Sequence, residues 1–188
     1  MSTQANQCRL RIAANDMKAS VFIATSIDGF IARENGALDW LPTDGEPHGY
    51  EEFMATVDAL VMGRKTFETV LTFGSWPFDK PVVVLTSKPS ELAAPPGARC
   101  EMMDGTPQEI VDRLAKHGMK HLYIDGGDTI RRFLEAGLIQ RMTITRIPVL
   151  LGTGIPLFGP FGRDIRLEHI ATRAYPSGLV QSEYAIPG

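Results

Sequence analysis

The sequence has little cysteine and no long hydrophobic run, and each shortage excludes a class of protein. Only two of its 188 residues are cysteines, Cys8 and Cys100, and neither belongs to a paired metal-ligand motif. This usage is typical of free thiols in a reducing compartment and not of a disulfide-stapled secreted domain. No apolar stretch approaches the roughly 18 residues of a membrane-spanning helix, and residues 1–17 contain no apolar signal-peptide core. We therefore expect a cytoplasmic protein with no membrane partner.

An excess of positive charge is also missing. The chain has 19 Lys and Arg residues against 22 Asp and Glu, a net charge of −3, so nucleic acid is not an expected partner. The four histidines are scattered without the spacing of metal ligands, and no metal is expected. Neither a GxGxxG nor a GxSxG motif occurs, so a Rossmann dinucleotide site and an α/β-hydrolase nucleophile are not indicated.

What the chain does contain is an alternation of short β-branched runs with helical patterns. This alternation predicts an α/β domain with a mostly parallel central sheet, helices on both faces and an antiparallel C-terminal edge. A hydroxyl, a proline and a glutamate in the sequence Thr106-Pro107-Gln108-Glu109 predict a capping box at one helix start. We divide the chain into an extension over residues 1–17 and one domain over residues 18–188. Strands are predicted at 20–27, 59–62, 81–86, 98–103, 121–125 and 141–148, with a closing hairpin at 166–175 and 179–186.

Two predicted strands run through glycine directly into a helix. The first passes through Gly63 to Arg64, Lys65 and Thr66, and the second passes from Asp125 through Gly126 and Gly127 to Asp128, Thr129 and Ile130. Glycine lets the backbone approach a ligand closely, and the free N–H groups of a helix start favour an anion. Ligands of open α/β sheets bind beyond the carboxyl ends of the strands. The two sequences together predict a site for a phosphate-bearing cofactor.

A third strand end carries Leu85, Thr86, Ser87 and Lys88. Hydroxyls and a cation suit a ribose 2′-phosphate, and no acid stands at residues 86–88 to hold a free 2′-hydroxyl. Together with Arg64, which can grip a phosphate through two parallel hydrogen bonds, this favours NADPH over NADH.

These motifs resemble the dihydrofolate reductase superfamily over nearly the whole chain. The segment from Ala24 to Ala32, followed by Trp40-Leu41-Pro42, is similar to the first strand and substrate-side loop of that superfamily. The stretch from Gly137 through Gly154 resembles more specifically the reductase domain of riboflavin biosynthesis, the C-terminal half of a bifunctional deaminase–reductase, and its stand-alone relatives.

The resemblance implies a role for each matching residue. Ala24 and Ile31 would flank the nicotinamide, residues 63–66 with Thr86 and Ser87 would hold the adenosine half, and residues 126–130 would hold the pyrophosphate. Trp40 has two alternative interpretations, a wall of the substrate pocket or an aromatic side chain buried in the loop. An acid after the Leu-Pro pair binds the ring in dihydrofolate reductases, and Asp44 occupies that place. Glu51 and Glu52 on the next helix are competing carboxylates, so the proton donor stays open among Asp44, Glu51, Glu52 and solvent.

The resemblance implies an NADPH-dependent reductase that transfers hydride to a pyrimidine or pterin-like small molecule. The leading activity is that of a 5-amino-6-(5-phosphoribosylamino)uracil reductase in riboflavin biosynthesis, whose substrate phosphate would need a cation such as Arg33, Arg146 or Arg163. Dihydrofolate reductase proper is the alternative enzyme, and a non-catalytic nucleotide-binding or redox-sensing module is the alternative from another class. A homodimer is expected by analogy with the relatives.

Overall fold

The computed structural model describes residues 17–42 and 46–187. Within these residues, strands and helices alternate through most of the chain and two strands close it. The strands are β1 Lys18–Ser26, β2 Phe30–Ala32, β3 Ala59–Gly63, β4 Val82–Leu85, β5 Cys100–Met103, β6 His121–Asp125, β7 Arg141–Ile147, β8 Ile155–Pro156, β9 Glu168–Ala174 and β10 Val180–Ala185. The helices are α1 Tyr50–Thr56, α2 Arg64–Leu71, α3 Pro107–Lys116 and α4 Gly127–Glu135, and a 3-10 turn spans Pro89–Glu91.

Eight of the strands form one sheet in the order β5-β4-β3-β6-β1-β7-β10-β9. The first six run parallel, while β10 pairs antiparallel with both β7 and β9. This confirms the predicted fold class, including its antiparallel C-terminal edge. The carboxyl ends of β4, β3, β6 and β1 are neighbours in the sheet, so the loops that follow them meet at one edge.

Helices cover both faces of the sheet because the parallel strands are apolar on both sides. On one face, Val21 and Val61 pack with Ile110 of α3 and Phe133 of α4. On the other face, Phe22, Leu60 and Met62 pack with Phe67 of α2 and, more loosely, with residues of α1. The strands β3 and β4 are buried almost throughout, which fixes their exposed loop ends at the edge of the sheet.

The predicted capping box at the start of α3 is confirmed. The backbone N–H of Glu109 donates to the Thr106 hydroxyl over 3.3 Å, and the Thr106 N–H donates to the Glu109 carboxylate over 2.8 Å.

Three details differ from the sequence-based expectations. The 3-10 turn at Pro89–Glu91 lies in a segment with no predicted element. Strand β8 lies between the predicted strand 141–148 and the closing hairpin, where no strand is predicted, and pairs antiparallel with β2 as a separate two-stranded ribbon. Met17, the last residue of the predicted extension, is 7% exposed and packs into the core. No helix of the described ranges is long and apolar enough to cross a membrane.

Candidate active site

A cavity of about 1230 Å³ lies at the edge where the carboxyl ends of β1, β3, β4 and β6 meet. All three glycine- or hydroxyl-bearing strand ends of the sequence line it: the one that enters α2, the one that enters α4, and the one that follows β4. The predicted cofactor residues that line the cavity are Ala24, Ile31, Gly63, Arg64, Lys65, Thr66, Leu85, Thr86, Ser87, Asp125, Gly126, Gly127, Asp128 and Thr129.

The first turns of α2 and α4 are packed against each other at this cavity. A side chain on Gly126 would collide with the Thr66 hydroxyl, and a side chain on Gly63 would bring its Cβ to 3.0 Å from the Thr129 hydroxyl. Gly126 also has φ of +88°, a conformation that favours glycine. Glycine at both strand ends therefore allows the two helix starts to lie this close together, with the N–H groups of both first turns at one edge of the cavity.

Gly127 fits closely under the β2–β8 ribbon. A Cβ at this position would lie 2.9 Å from the Pro156 carbonyl oxygen and 3.2 Å from the Ile31 side chain. Asp28, just before β2, links the two segments that lead into the ribbon. Its carboxylate accepts hydrogen bonds from the N–H groups of Leu151 (3.2 Å) and Gly152 (2.8 Å), which precede β8. A side-chain hydrogen bond with Ser26, together with these N–H donors, lowers the pKa of Asp28. Of the segments that carried the family resemblance, Ala24, Ile31, Ala32 and Leu41 line the cavity, whereas none of residues 137–154 is among its lining residues.

Cations line the cavity beside the first helix start and beyond β4. Arg64 is half-exposed and forms ion pairs with Glu68 and Glu91, both at 2.8 Å. Lys88 pairs with the other oxygen of Glu91 at 3.0 Å. Arg132 of α4 also lines the cavity and donates to the Gly105 carbonyl oxygen.

Asp125, at the end of β6, carries a carboxyl group that is a weaker acid than an ordinary aspartate. Burial raises its pKa to about 6, against the lowering effect of the Gly126 N–H that donates to it over 2.8 Å. Two tyrosines that line the same cavity are near it. Burial and the charge of Asp125 raise the pKa of Tyr50 to about 12, and burial raises the pKa of Tyr123, whose hydroxyl donates to the Phe22 carbonyl oxygen. Both phenols are therefore neutral hydrogen-bond donors at ordinary pH.

Comparison with known proteins gives the family. The model of the RibD C-terminal domain matches residues 18–181 of the chain. This chain belongs to the RibD C-terminal domain family. That result confirms the resemblance drawn from the motifs.

Individual relatives support this placement of the RibD C-terminal domain. A solved structure from Shewanella sp. PV-4, of a protein named for riboflavin biosynthesis, is 39% identical with a TM-score of 0.82 and covers 92% of this chain and 100% of its own. The Bacillus subtilis (strain 168) protein YwjB, itself uncharacterised, is 32% identical over 165 residues, 85% of this chain and 93% of its own. Dihydrofolate reductase from Enterococcus faecalis, solved with NADP(H), shares the fold at 20% identity with a TM-score of 0.63, covering 91% of this chain and 97% of its own. Family and fold are those of reductases.

Among the described residues, the predicted Ile130, Glu51 and Trp40 of this RibD C-terminal domain do not line the cavity. Ile130 is fully buried in the core, so it supports the first turn of α4 from behind. Glu51 is exposed on the first turn of α1, and Trp40 is partly buried outside the lining. Asp44, the predicted catalytic acid, lies outside the described residues, so its role stays a prediction.

Sequence reasoning missed the two tyrosines and the raised pKa of Asp125. Neither tyrosine was among the predicted site residues, and Asp125 was predicted only as part of the glycine turn that precedes α4. The available clue was Asp125 itself, a carboxylate that directly follows the buried residues 122–124 of β6, since the end of a parallel strand faces the ligand edge of the sheet. Among residues 17–42 and 46–187, no three potential metal ligands come together.

Proposed function

We propose that this RibD C-terminal domain is an NADPH-dependent reductase of a planar nitrogen heterocycle, of the pyrimidine or pterin-like kind. The observation that carries the proposal is the shared edge of α2 and α4, where two glycine-opened helix starts and the cations Arg64 and Lys88 line one cavity. When bound, NADPH supplies the hydride.

The residues of the cavity fit such a cofactor. Gly63 and Gly126 carry no side chain where the two helix starts meet, so N–H groups of both first turns are available to a pyrophosphate. Thr86, Ser87 and Lys88 follow β4 and, with Arg64, offer hydroxyls and cations to a 2′-phosphate. Ala24 and Ile31 provide apolar walls for a flat ring.

Asp125 is the acid that best suits the proton-transfer role. Reduction of a C=N or C=O bond leaves an electron pair on the heteroatom, which must be met by a proton donor. With a pKa of about 6, Asp125 holds its proton over part of the near-neutral range, where an ordinary aspartate does not. The exposed Glu51 lies outside the cavity lining, and we therefore place Asp125 ahead of it.

The lining of the cavity also matters for how a phosphate on the riboflavin-pathway substrate would be bound. None of the three arginines offered to a substrate phosphate lines the described cavity, and Arg33 is held instead by Asp39 at 2.7 Å. The 5-amino-6-(5-phosphoribosylamino)uracil reductase activity remains the leading specific candidate by family. Its test should include the same compound without its phosphate.

The experiment is a steady-state assay of NADPH oxidation with the phosphorylated uracil, its dephosphorylated form and dihydrofolate. We expect turnover with at least one of them in the wild type. Because the donor must be protonated, kcat should fall as pH rises above about 6, and Asp125→Asn should remove that pH dependence together with most of the activity.

Glu51→Gln serves as the matched control, since it removes an exposed carboxylate outside the cavity lining. Its kcat and pH profile should equal those of the wild type. Equal activity of Asp125→Asn and wild type across the pH range would contradict the proton-donor role. Turnover of none of the three compounds would favour the non-catalytic nucleotide-binding module.

We also propose that the chain forms a homodimer through the outer edge of β9. All seven residues of this strand are exposed, and Ile170 is 43% exposed within it. An edge strand presents unpaired backbone groups that a second copy can complete by antiparallel pairing. Light scattering should give twice the chain mass, and Ala171→Pro on this edge should yield a monomer. A wild-type monomer at micromolar concentration would refute the proposal.

A further inference from the structure

Glu91 bridges the two cations that the proposed function assigns to the cofactor phosphate. One carboxylate oxygen lies 2.8 Å from Nη1 of Arg64, and the other lies 3.0 Å from Nζ of Lys88. Glu91 ends the 3-10 turn that follows β4, and its side chain is 45% exposed. These contacts lower the pKa of Glu91 and raise the pKa of Arg64, so both groups are charged over the working pH range.

The Arg64 guanidinium is engaged on two sides. Its Nε donates to Glu68 over 2.8 Å, and its Nη1 donates to Glu91 over 2.8 Å. A phosphate that accepts two parallel hydrogen bonds from an arginine must use the side of the guanidinium that faces Glu68 or the side that faces Glu91. Glu68 lies on the same helix, one turn beyond Arg64, whereas Glu91 reaches Arg64 from another segment and also holds Lys88. An anion seated between Arg64 and Lys88 therefore takes the place of Glu91.

From this arrangement we infer that Glu91 is a specificity-determining residue that competes with the cofactor 2′-phosphate for Arg64 and Lys88. The inference rests on the proposed NADPH-binding function. With NADPH, the phosphate displaces the carboxylate and like-charge repulsion moves Glu91 away from the cations. With NADH, the carboxylate keeps its two ion pairs. Glu91 thereby weakens the binding of NADPH without weakening that of NADH. Removing its carboxylate should therefore increase the preference of the protein for NADPH over NADH.

The test measures binding by calorimetry, without turnover, for wild type and Glu91→Gln. The probes are NADPH, NADH, adenosine 2′,5′-bisphosphate and 5′-AMP. Exposed ion pairs are individually weak, so loss of the two should tighten NADPH and the 2′,5′-bisphosphate by roughly three- to tenfold. The affinities for NADH and 5′-AMP should change by less than about twofold, because neither carries a 2′-phosphate.

Glu101→Gln is the matched control for the change in net charge. Glu101 is exposed on the neighbouring β5 and lies outside the cavity lining, so it should alter all four affinities little and equally. Unliganded melting curves of the three proteins verify that each variant folds.

The outcomes separate the inference from the function on which it rests. A wild type that fails to bind millimolar NADPH would overturn the proposed function itself. Wild-type binding of NADPH with an unchanged affinity in Glu91→Gln would overturn only the competition. Weaker NADPH binding in Glu91→Gln would also overturn it, because Glu91 would then position the cations for the phosphate.

Discussion

Asp125 links the chemistry proposed for the cavity to the stability of the protein. Asp125 is partly buried at the end of β6, near Tyr50 and Tyr123, and the desolvation that raises its pKa to about 6 makes its charged form costly in the folded state. In the unfolded chain, an aspartate has a pKa of about 3.9. Between these two pKa values the folded state therefore binds more protons than the unfolded state.

Asp125→Asn should therefore stabilise the protein at neutral pH but not at acid pH. Because the folded-state pKa is raised, the stability of the wild type relative to the variant falls as pH rises from about 4 to about 6 and then levels off. The amide can still accept the Gly126 N–H hydrogen bond. We expect the variant to gain about 2–3 kcal/mol at pH 7 relative to its difference at pH 4, as measured by urea unfolding.

Glu51→Gln removes an exposed carboxylate and should show no such pH-dependent difference. A flat difference between wild type and Asp125→Asn from pH 4 to pH 7 would mean that Asp125 titrates as an ordinary surface acid. It would then no longer be preferred as the proton donor.

At the scale of elements, the decisive feature is that α2 and α4 begin against each other. Gly126→Ala should destabilise the protein more than Gly118→Ala, although both residues have positive φ, +88° and +81°. Either alanine incurs about 1–3 kcal/mol for its sparsely populated positive-φ conformation, and Gly126, with ψ of 132°, lies outside even the left-handed helical region. Gly118 has open space where the Cβ would stand, whereas the Cβ at Gly126 would collide with Thr66.

The measurement is urea unfolding of both variants together with NADPH binding. Gly126→Ala should lose at least about 1 kcal/mol more than Gly118→Ala and should bind NADPH more weakly, since the two helix starts must separate. Equal losses of stability and equal binding in the two variants would show that the helix starts tolerate a side chain between them.

Elements whose determinants are local could be predicted from the sequence. The capping box of α3 depends on Thr106 and Glu109, three residues apart, and strands β3 and β4 depend on continuous apolar runs. The two residues of β8 form a strand only because they meet β2, more than a hundred residues earlier, so no local pattern indicated them. Part of the site could not be predicted for the same reason, because its residues are distant in sequence. Tyr50 and Asp125 are brought together by the sheet, and Glu91 reaches Arg64 across 27 positions of sequence.

At the scale of the whole molecule, the cavity couples cofactor binding to global stability. Strands β1, β3, β4 and β6 and helices α2 and α4 all contribute to its lining, so a ligand seated there bridges the centre of the sheet. Unfolding separates all of these segments and therefore requires release of the ligand. NADPH should then raise the melting temperature as a single cooperative transition.

The size of this shift can be anticipated. A ligand at about 100 times its Kd adds about 2.7 kcal/mol to the free energy of unfolding, which corresponds to roughly 5–10 °C for a domain of this length. NADH at the same concentration should give a smaller shift, and Arg64→Ala should reduce the NADPH shift more than the NADH shift, because only NADPH offers Arg64 a 2′-phosphate. Differential scanning fluorimetry measures all four values. No shift with millimolar NADPH would refute cofactor binding at this edge, and equal losses for both cofactors in Arg64→Ala would place Arg64 away from the 2′-phosphate.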